Sequence, residues 1–206
     1  MTNDVQILNN GYPMPAVGLG VYKIADEQME EVVRTALDAG YRAFDTAYFY
    51  GNEKALGSAL KQSNIERDEL FITSKLWNDY QGYDQTIEYF NKSLDNLGLD
   101  YLDLFLIHWP CENDQLYIES YKALEHLYEE GKIKAIGVCN FKIHHLEKLM
   151  RETKITPQVN QIELHPYFNQ QDVQDFCDEH DIKVTAWMPL MRNKGLLDDP
   201  VITDIA

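Results

Sequence analysis

Cysteine is scarce in this chain: three in 206 residues, at Cys111, Cys139 and Cys177, with no C-x-x-C pair. An odd, widely spaced set excludes a disulfide framework and a cysteine-rich zinc site, and suits a reducing compartment. Positive charge is short as well. Eighteen Lys and Arg against 34 Asp and Glu leave a net charge of −16, which would repel a nucleic-acid backbone or an anionic membrane surface. No apolar run reaches the roughly 20 residues needed to cross a bilayer, and "MTNDVQILNN" has neither the basic nor the apolar region of a leader peptide. The cytoplasm is therefore the expected location, with neither nucleic acid nor membrane as partner. Linkers, low-complexity tracts and breaks in composition are also missing. Residues 1–206 read as one domain, and at 45% hydrophobic residues it holds enough apolar material for one sizeable core.

What is present is an alternation of short apolar runs with longer amphipathic ones. Strand-like runs fall at 16–22, 42–47, 70–76, 102–108, 133–139, 157–161 and 183–188. Between them, apolar residues recur at helical spacing, as in Met29, Val32, Val33, Ala36 and Leu37, or Tyr117, Tyr121, Leu124 and Tyr128. Gly40, Gly98 and Gly131 stand where helix C-caps belong. Ahead of the repeat, "VQIL" and "PMPAV" around "NNGY" read as a small hairpin capping one end. Alternating βα units imply a parallel sheet, either doubly wound or closed into a (β/α)₈ TIM barrel. A dinucleotide-binding doubly wound sheet needs G-x-G-x-x-G at its first turn, and "GLGVYK" carries only the first two glycines. The barrel is the expected fold.

In a parallel sheet all strand C-termini share one rim, and the chemically distinctive residues gather there: Asp45, Lys75, His108, Asn140, Gln161 and Trp187 each end or follow a successive run. Singly, each has an ordinary reading. Asp45 would serve as a cap for a helix starting near Asn52, Tyr50 is one of 13 tyrosines, and His108 after "LFLI" suits a core histidine. Lys75 is harder to explain away, because a lysine among apolar neighbours needs a carboxylate partner, and Asp45 on the preceding strand is the natural one. Together the four make a proton-delivery device: the Lys75 ammonium lowers the Tyr50 pKa, Asp45 holds Lys75, and His108 orients a substrate carbonyl oxygen. Adjacent His144 and His145 would point about 100° apart on a helix. No metal site is expected.

The segments "GYRAFDTAYFYGNE", "ITSKLW" and "LDLFLIHWP" resemble those of the aldo-keto reductases, and the resemblance runs from about residue 6 to the last residue. It implies a catalytic tetrad of Asp45, Tyr50, Lys75 and His108, and a nicotinamide dinucleotide, usually NADPH with NADH possible, lying extended across the rim without a Rossmann fold. By the same resemblance, "IGVCNF" and "VNQIELHPY" place Cys139, Asn140 and Gln161 at the nicotinamide carboxamide, beside Asp45. Cys139 stands where the family usually has serine, a better hydrogen-bonding group. Trp187 takes the place of a tyrosine that stacks on the nicotinamide ring. Tyr22, Trp77 and Trp109, with His108, would wall a pocket for small aldehydes or ketones. The implied activity is NAD(P)H-dependent carbonyl reduction, with hydride from the nicotinamide ring and a proton from Tyr50. Seven strand runs are one short of a closed barrel, so the expectation is an incomplete barrel lacking the eighth βα unit and the adenosine-phosphate grip. Two alternatives follow: an inactive fragment or non-catalytic nucleotide-binding barrel, and a Schiff-base lyase using Lys75.

Overall fold

In the computed structural model, which describes residues 4–205, the seven runs become seven strands of one all-parallel sheet. The hairpin comes first, as β1 (Val5–Ile7) and β2 (Pro13–Pro15), paired antiparallel. The sheet then follows in chain order as β3 (Gly18–Gly20), β4 (Ala43–Asp45), β5 (Phe71–Leu76), β6 (Leu102–Ile107), β7 (Ile133–Cys139), β8 (Val159–Glu163) and β9 (Lys183–Trp187). Every strand pairs with its sequence neighbours, and β3 and β9 are the two ends of the order. Helices α1 (Asp26–Asp38), α2 (Glu53–Gln62), α3 (Tyr83–Leu97), α4 (Asp114–Glu129), α5 (Ile143–Glu152), α6 (Gln171–Glu179) and α7 (Pro200–Ile205) alternate with the strands. This is the TIM-barrel architecture, nearly closed, with seven strands described.

The helices form where the apolar spacing predicts them. Helix α1 buries Met29, Val33 and Ala36 and leaves its acidic face in water, while α4 buries Tyr117, Tyr121 and Leu124. Gly98 ends α3 with a left-handed backbone (φ 66°), a conformation that costs glycine little and most residues more. Two runs start two residues later than expected: the one at 16–22 narrows to Gly18–Gly20 and the one at 157–161 becomes Val159–Glu163.

Two apolar layers share the strands by their period of two. Phe44, Ile72, Leu76, Phe105, Ile107, Ile136, Val138 and Ile162 face outward against the helices. Ala43, Phe71, Leu104, Leu106, Ala135, Cys139 and Val159 belong to a second cluster inside the barrel, together with Leu8 and Met14 from the hairpin. The hairpin thus plugs the N-terminal end. There the Tyr12 hydroxyl donates to Asp103 Oδ1 at 2.7 Å, while Arg67 and the Ile72 N–H donate to Asp103 Oδ2 at 2.6 and 2.8 Å. Asn9 Nδ2 donates to the carbonyls of Pro157 and Asp181, each at 3.1 Å.

Candidate active site

The same alternation selects the side chains of the opposite, C-terminal end. Asp45 follows Ala43 by two, Lys75 follows Phe71 by four, His108 follows Leu106 by two, Cys139 follows Ala135 by four and Gln161 follows Val159 by two. Each therefore shares the inward face of its strand, and all five meet above the apolar plug. Asp45 does not cap α2: no side chain caps that helix, and Asp45 is paired with Lys75 instead. The Lys75 ammonium, on a side chain only 1% exposed, donates to Asp45 Oδ1 and to the Thr46 carbonyl, the latter at 2.9 Å. Gln161 Nε2 donates to the other Asp45 oxygen at 2.9 Å. Beside its bonds to Asp45 and Thr46, Lys75 Nζ lies 5.3 Å from the centre of the Tyr50 ring, so the third of its three donors is available toward Tyr50.

Tyr50 closes a 3₁₀ turn, Tyr48–Tyr50, directly after β4. Its ring lies 5.7 Å from His108, edge-on at 72°, and 4.8 Å from Tyr22. Trp77 stands edge-on to His108 at 5.2 Å, and Trp109 faces Trp187 at 6.5 Å. Asn140 follows β7 with φ at 63°, a left-handed residue for which asparagine is among the better choices. Alternation alone would send its side chain outward. The turn brings it to the rim, where Nδ2 donates to the His108 carbonyl at 3.1 Å and Oδ1 accepts from the Trp187 indole N–H at 2.8 Å.

Electrostatics here are set by burial first. Burial, the largest single influence, pulls the Lys75 pKa down; the charge and hydrogen bond of Asp45, joined by Tyr50 and Cys139, together outweigh it and the net shift is upward, so Lys75 stays charged. For Tyr50, burial raises the pKa and the Lys75 charge lowers it, with the net again upward. The sequence-based expectation of a lowered Tyr50 pKa is thus corrected in sign: the lysine offsets desolvation without overcoming it. Tyr50 holds its proton at neutral pH. Burial pushes the Cys139 thiol upward, against the pull of Lys75, leaving a neutral, weakly bonding group whose sulfur lies 3.9 Å from Gln161 Oε1.

His108 is pulled down to about 3, by burial and then by the Lys75 charge. A neutral imidazole donates from only one nitrogen, and His108 Nδ1 has no hydrogen-bond partner. A histidine whose folded pKa is depressed contributes stability that is fully present above its unfolded pKa of about 6.5 and is lost as pH falls toward the folded value. Urea unfolding of His108→Gln beside the parent should therefore show a smaller loss of stability between pH 6.5 and pH 4 in the variant; identical acid dependence would contradict a neutral buried imidazole.

Sequence reasoning missed two features of this site. Thr46, Asn52 and Val21 pin the loop that carries Tyr50: Thr46 Oγ1 donates to Asn52 Oδ1 at 2.9 Å, and Asn52 Nδ2 donates to the Val21 carbonyl at 2.8 Å. The signal was a polar asparagine just before an amphipathic helix, ordinarily read as a cap. Phe49 lies flat on Trp77, ring centres 3.8 Å apart. Nothing in spacing announces a stack between neighbouring turns.

A parallel barrel carrying an acid–base cluster at its C-terminal rim has the layout of a barrel enzyme. The chain belongs to the aldo/keto reductase family, whose sequence profile matches residues 16–205. Among curated relatives, the glyoxal reductase of Bacillus subtilis (strain 168) is 49% identical over 204 residues, covering 98% of this chain and 73% of the relative. An aldo/keto reductase structure from Brucella melitensis superimposes with a TM-score of 0.94 at 46% identity, covering 100% of this chain and 78% of that one. A variant of Gox0644 in complex with NADPH gives a TM-score of 0.93 at 41% identity, covering 100% and 74%. NADP(H) is the cofactor of the family.

Proposed function

We propose that this chain is an NADP(H)-dependent reductase of small aldehydes and ketones, acting as one barrel unit over residues 1–206. The observation that carries the reading is the convergence of Asp45, Lys75, Tyr50 and His108 on one rim, with Lys75 charged and Tyr50 protonated. The donor set suits a nicotinamide carboxamide, which offers both donors and acceptors. Asn140 has one donor and one acceptor engaged, so a further N–H and a lone pair remain. Gln161 Oε1 has only the weak thiol of Cys139 against it. Asn140 and Gln161 would hold the carboxamide, Cys139 adding least, and the half-buried Trp187 would lie against the ring. NADH is a possible substitute.

When bound, the dinucleotide supplies hydride to the carbonyl carbon. The chain supplies the rest. His108 donates its single available N–H to the carbonyl oxygen and sets its angle. Tyr50 delivers its phenolic proton to that oxygen as negative charge develops there. Lys75, oriented by Asp45, the Thr46 carbonyl and indirectly by Gln161, stabilises the phenolate left behind. Tyr22, Trp77 and Trp109 bound the space above and exclude water from the reacting atoms.

The Schiff-base alternative needs an uncharged Lys75 amine, and the Asp45 pair favours the opposite protonation state. The relative's name makes glyoxal a suitable first substrate. No helix among the described residues is long and apolar enough to cross a membrane; with three free thiols, the cytoplasm is the proposed location. The test is loss of nicotinamide absorbance when the chain is mixed with NADPH and glyoxal. Carbonyl-dependent oxidation supports the reductase reading, whereas tight NADPH binding without oxidation favours a non-catalytic barrel.

A further inference from the structure

Glu53 opens α2 three positions after Tyr50, and the residue is only 2% exposed. A buried carboxylate is costly unless its oxygens are satisfied. Both are: Ser74 Oγ donates to Oε1 at 2.7 Å and Asn96 Nδ2 donates to Oε2 at 3.0 Å, while the N-terminal end of the helix favours negative charge there. The two donors belong to different elements. Ser74 is on β5, where the period of two turns it outward between Ile72 and Leu76 and turns its neighbour Lys75 inward; Asn96 is on α3. One turn further along α2, Gly57 lies so close to α3 that an added Cβ would stand 2.2 Å from the Leu97 carbonyl oxygen, so this face of the helix has no room to slide. No step of proton delivery uses the Glu53 carboxylate directly.

We infer that Glu53 is a positioning residue for proton transfer: it clamps the start of α2 to β5 one residue ahead of Lys75, and so fixes the Tyr50 turn relative to the Lys75 ammonium. This rests on the reductase reading above and deepens it. The loop that carries Tyr50 is anchored to β5 at both of its ends. At the first, the Thr46 N–H donates to the Thr73 carbonyl at 2.9 Å; at the second, Glu53 accepts from Ser74. Three consecutive β5 residues thus serve one purpose, Thr73 and Ser74 holding the loop and Lys75 meeting the tyrosine. Without the second anchor the loop keeps the Asn52 bond to the Val21 carbonyl but loses its register against β5, and Tyr50 drifts with respect to Nζ. A displacement of about 1 Å is enough to slow a positioned reaction severely. Lys75 keeps its own bonds to Asp45 and the Thr46 carbonyl, so the charge pair survives.

The test is single-turnover oxidation of NADPH by glyoxal, run in H₂O and in D₂O beside NADPH titration and thermal melting. Ser74→Ala cuts the β5 anchor and leaves the bond to Asn96. It should lower the single-turnover rate about tenfold, raise the solvent isotope effect, and leave the Kd for NADPH within about twofold of the parent. Asn96→Ala cuts the other bond, and should lower the melting temperature with the rate near that of the parent. Glu53→Ala should combine both losses. Glu53→Gln keeps an oxygen for Ser74, and a reversed Asn96 amide can accept from the new NH₂ group, so most of the rate should return. A parent-like rate in Ser74→Ala, an unchanged isotope effect, or an equal loss of rate in Asn96→Ala would each overturn the inference, and the contrast between those two variants decides it even where Glu53→Ala does not fold. A parent chain that binds NADPH but never oxidises it with glyoxal would instead remove the reductase reading, and the positioning role with it.

Discussion

Replacing Tyr50 with phenylalanine should lower kcat by about 10² to 10⁴-fold, the range a positioned general acid contributes, while the affinity for NADPH changes little. The reasoning starts from the local environment. Tyr50 is held between His108 and Tyr22 by ring contacts that phenylalanine reproduces, so the fold and the shape of the pocket survive. Only the hydroxyl is removed, and with it the proton that must reach the carbonyl oxygen. Tyr50 keeps this proton at neutral pH because burial raises its pKa more than Lys75 lowers it. Single-turnover rates with NADPH and glyoxal, measured beside fluorescence titration of NADPH, separate the two effects. Equal losses in rate and in cofactor affinity would remove Tyr50 from the role of acid.

The second large effect is expected from Lys75→Met, and it has two parts. Turnover should fall by a similar order, because Tyr50 would lose the charge that eases departure of its proton. Stability should fall too. Asp45, a quarter exposed, would keep only the Gln161 hydrogen bond, and breaking a mostly buried pair costs about 3 kcal/mol, or roughly 5–10 °C in melting temperature. The double variant Asp45→Asn/Lys75→Met should recover much of the melting temperature without recovering turnover. The pair also sets an alkaline limit. A lysine whose folded pKa is raised contributes stability fully present below its unfolded pKa of about 10.4 and lost as pH rises through the higher folded value; Lys75→Met should remove that dependence. Full activity in the single variant, or no difference in melting temperature, would contradict the arrangement described here.

Much of this was readable from the residues because parallel strands, covered on both faces, are written as nearly continuous apolar runs. Once Phe71 and Leu106 are known to face inward, the period of two carries Lys75 and His108 inward as well. Where the local rule breaks, the sequence is silent. Asn140 reaches the rim through a left-handed residue that asparagine tolerates without requiring. The direction of the Tyr50 shift depends on how much water the whole barrel excludes, a tertiary quantity that no neighbour in sequence reports. Phe49 and Trp77 meet because two turns 28 positions apart lie side by side, and an apolar residue in a rim turn gives no hint of which ring it will choose.

The plug at the N-terminal end carries a consequence for how the chain acquires its structure. Asn9 is made long before its partners, for its side chain bonds the carbonyls of Pro157 and Asp181, 148 and 172 residues later, and Gln158 returns a bond to it at 3.0 Å. Leu8 and Met14 find their neighbours on strands that are all made after them. Loop-closure entropy of that span must be met before these contacts form, so a hairpin made before the barrel strands docks among the last elements. Until then the barrel stands open at its base with apolar side chains exposed, the interval in which a nascent chain of this topology depends most on chaperones.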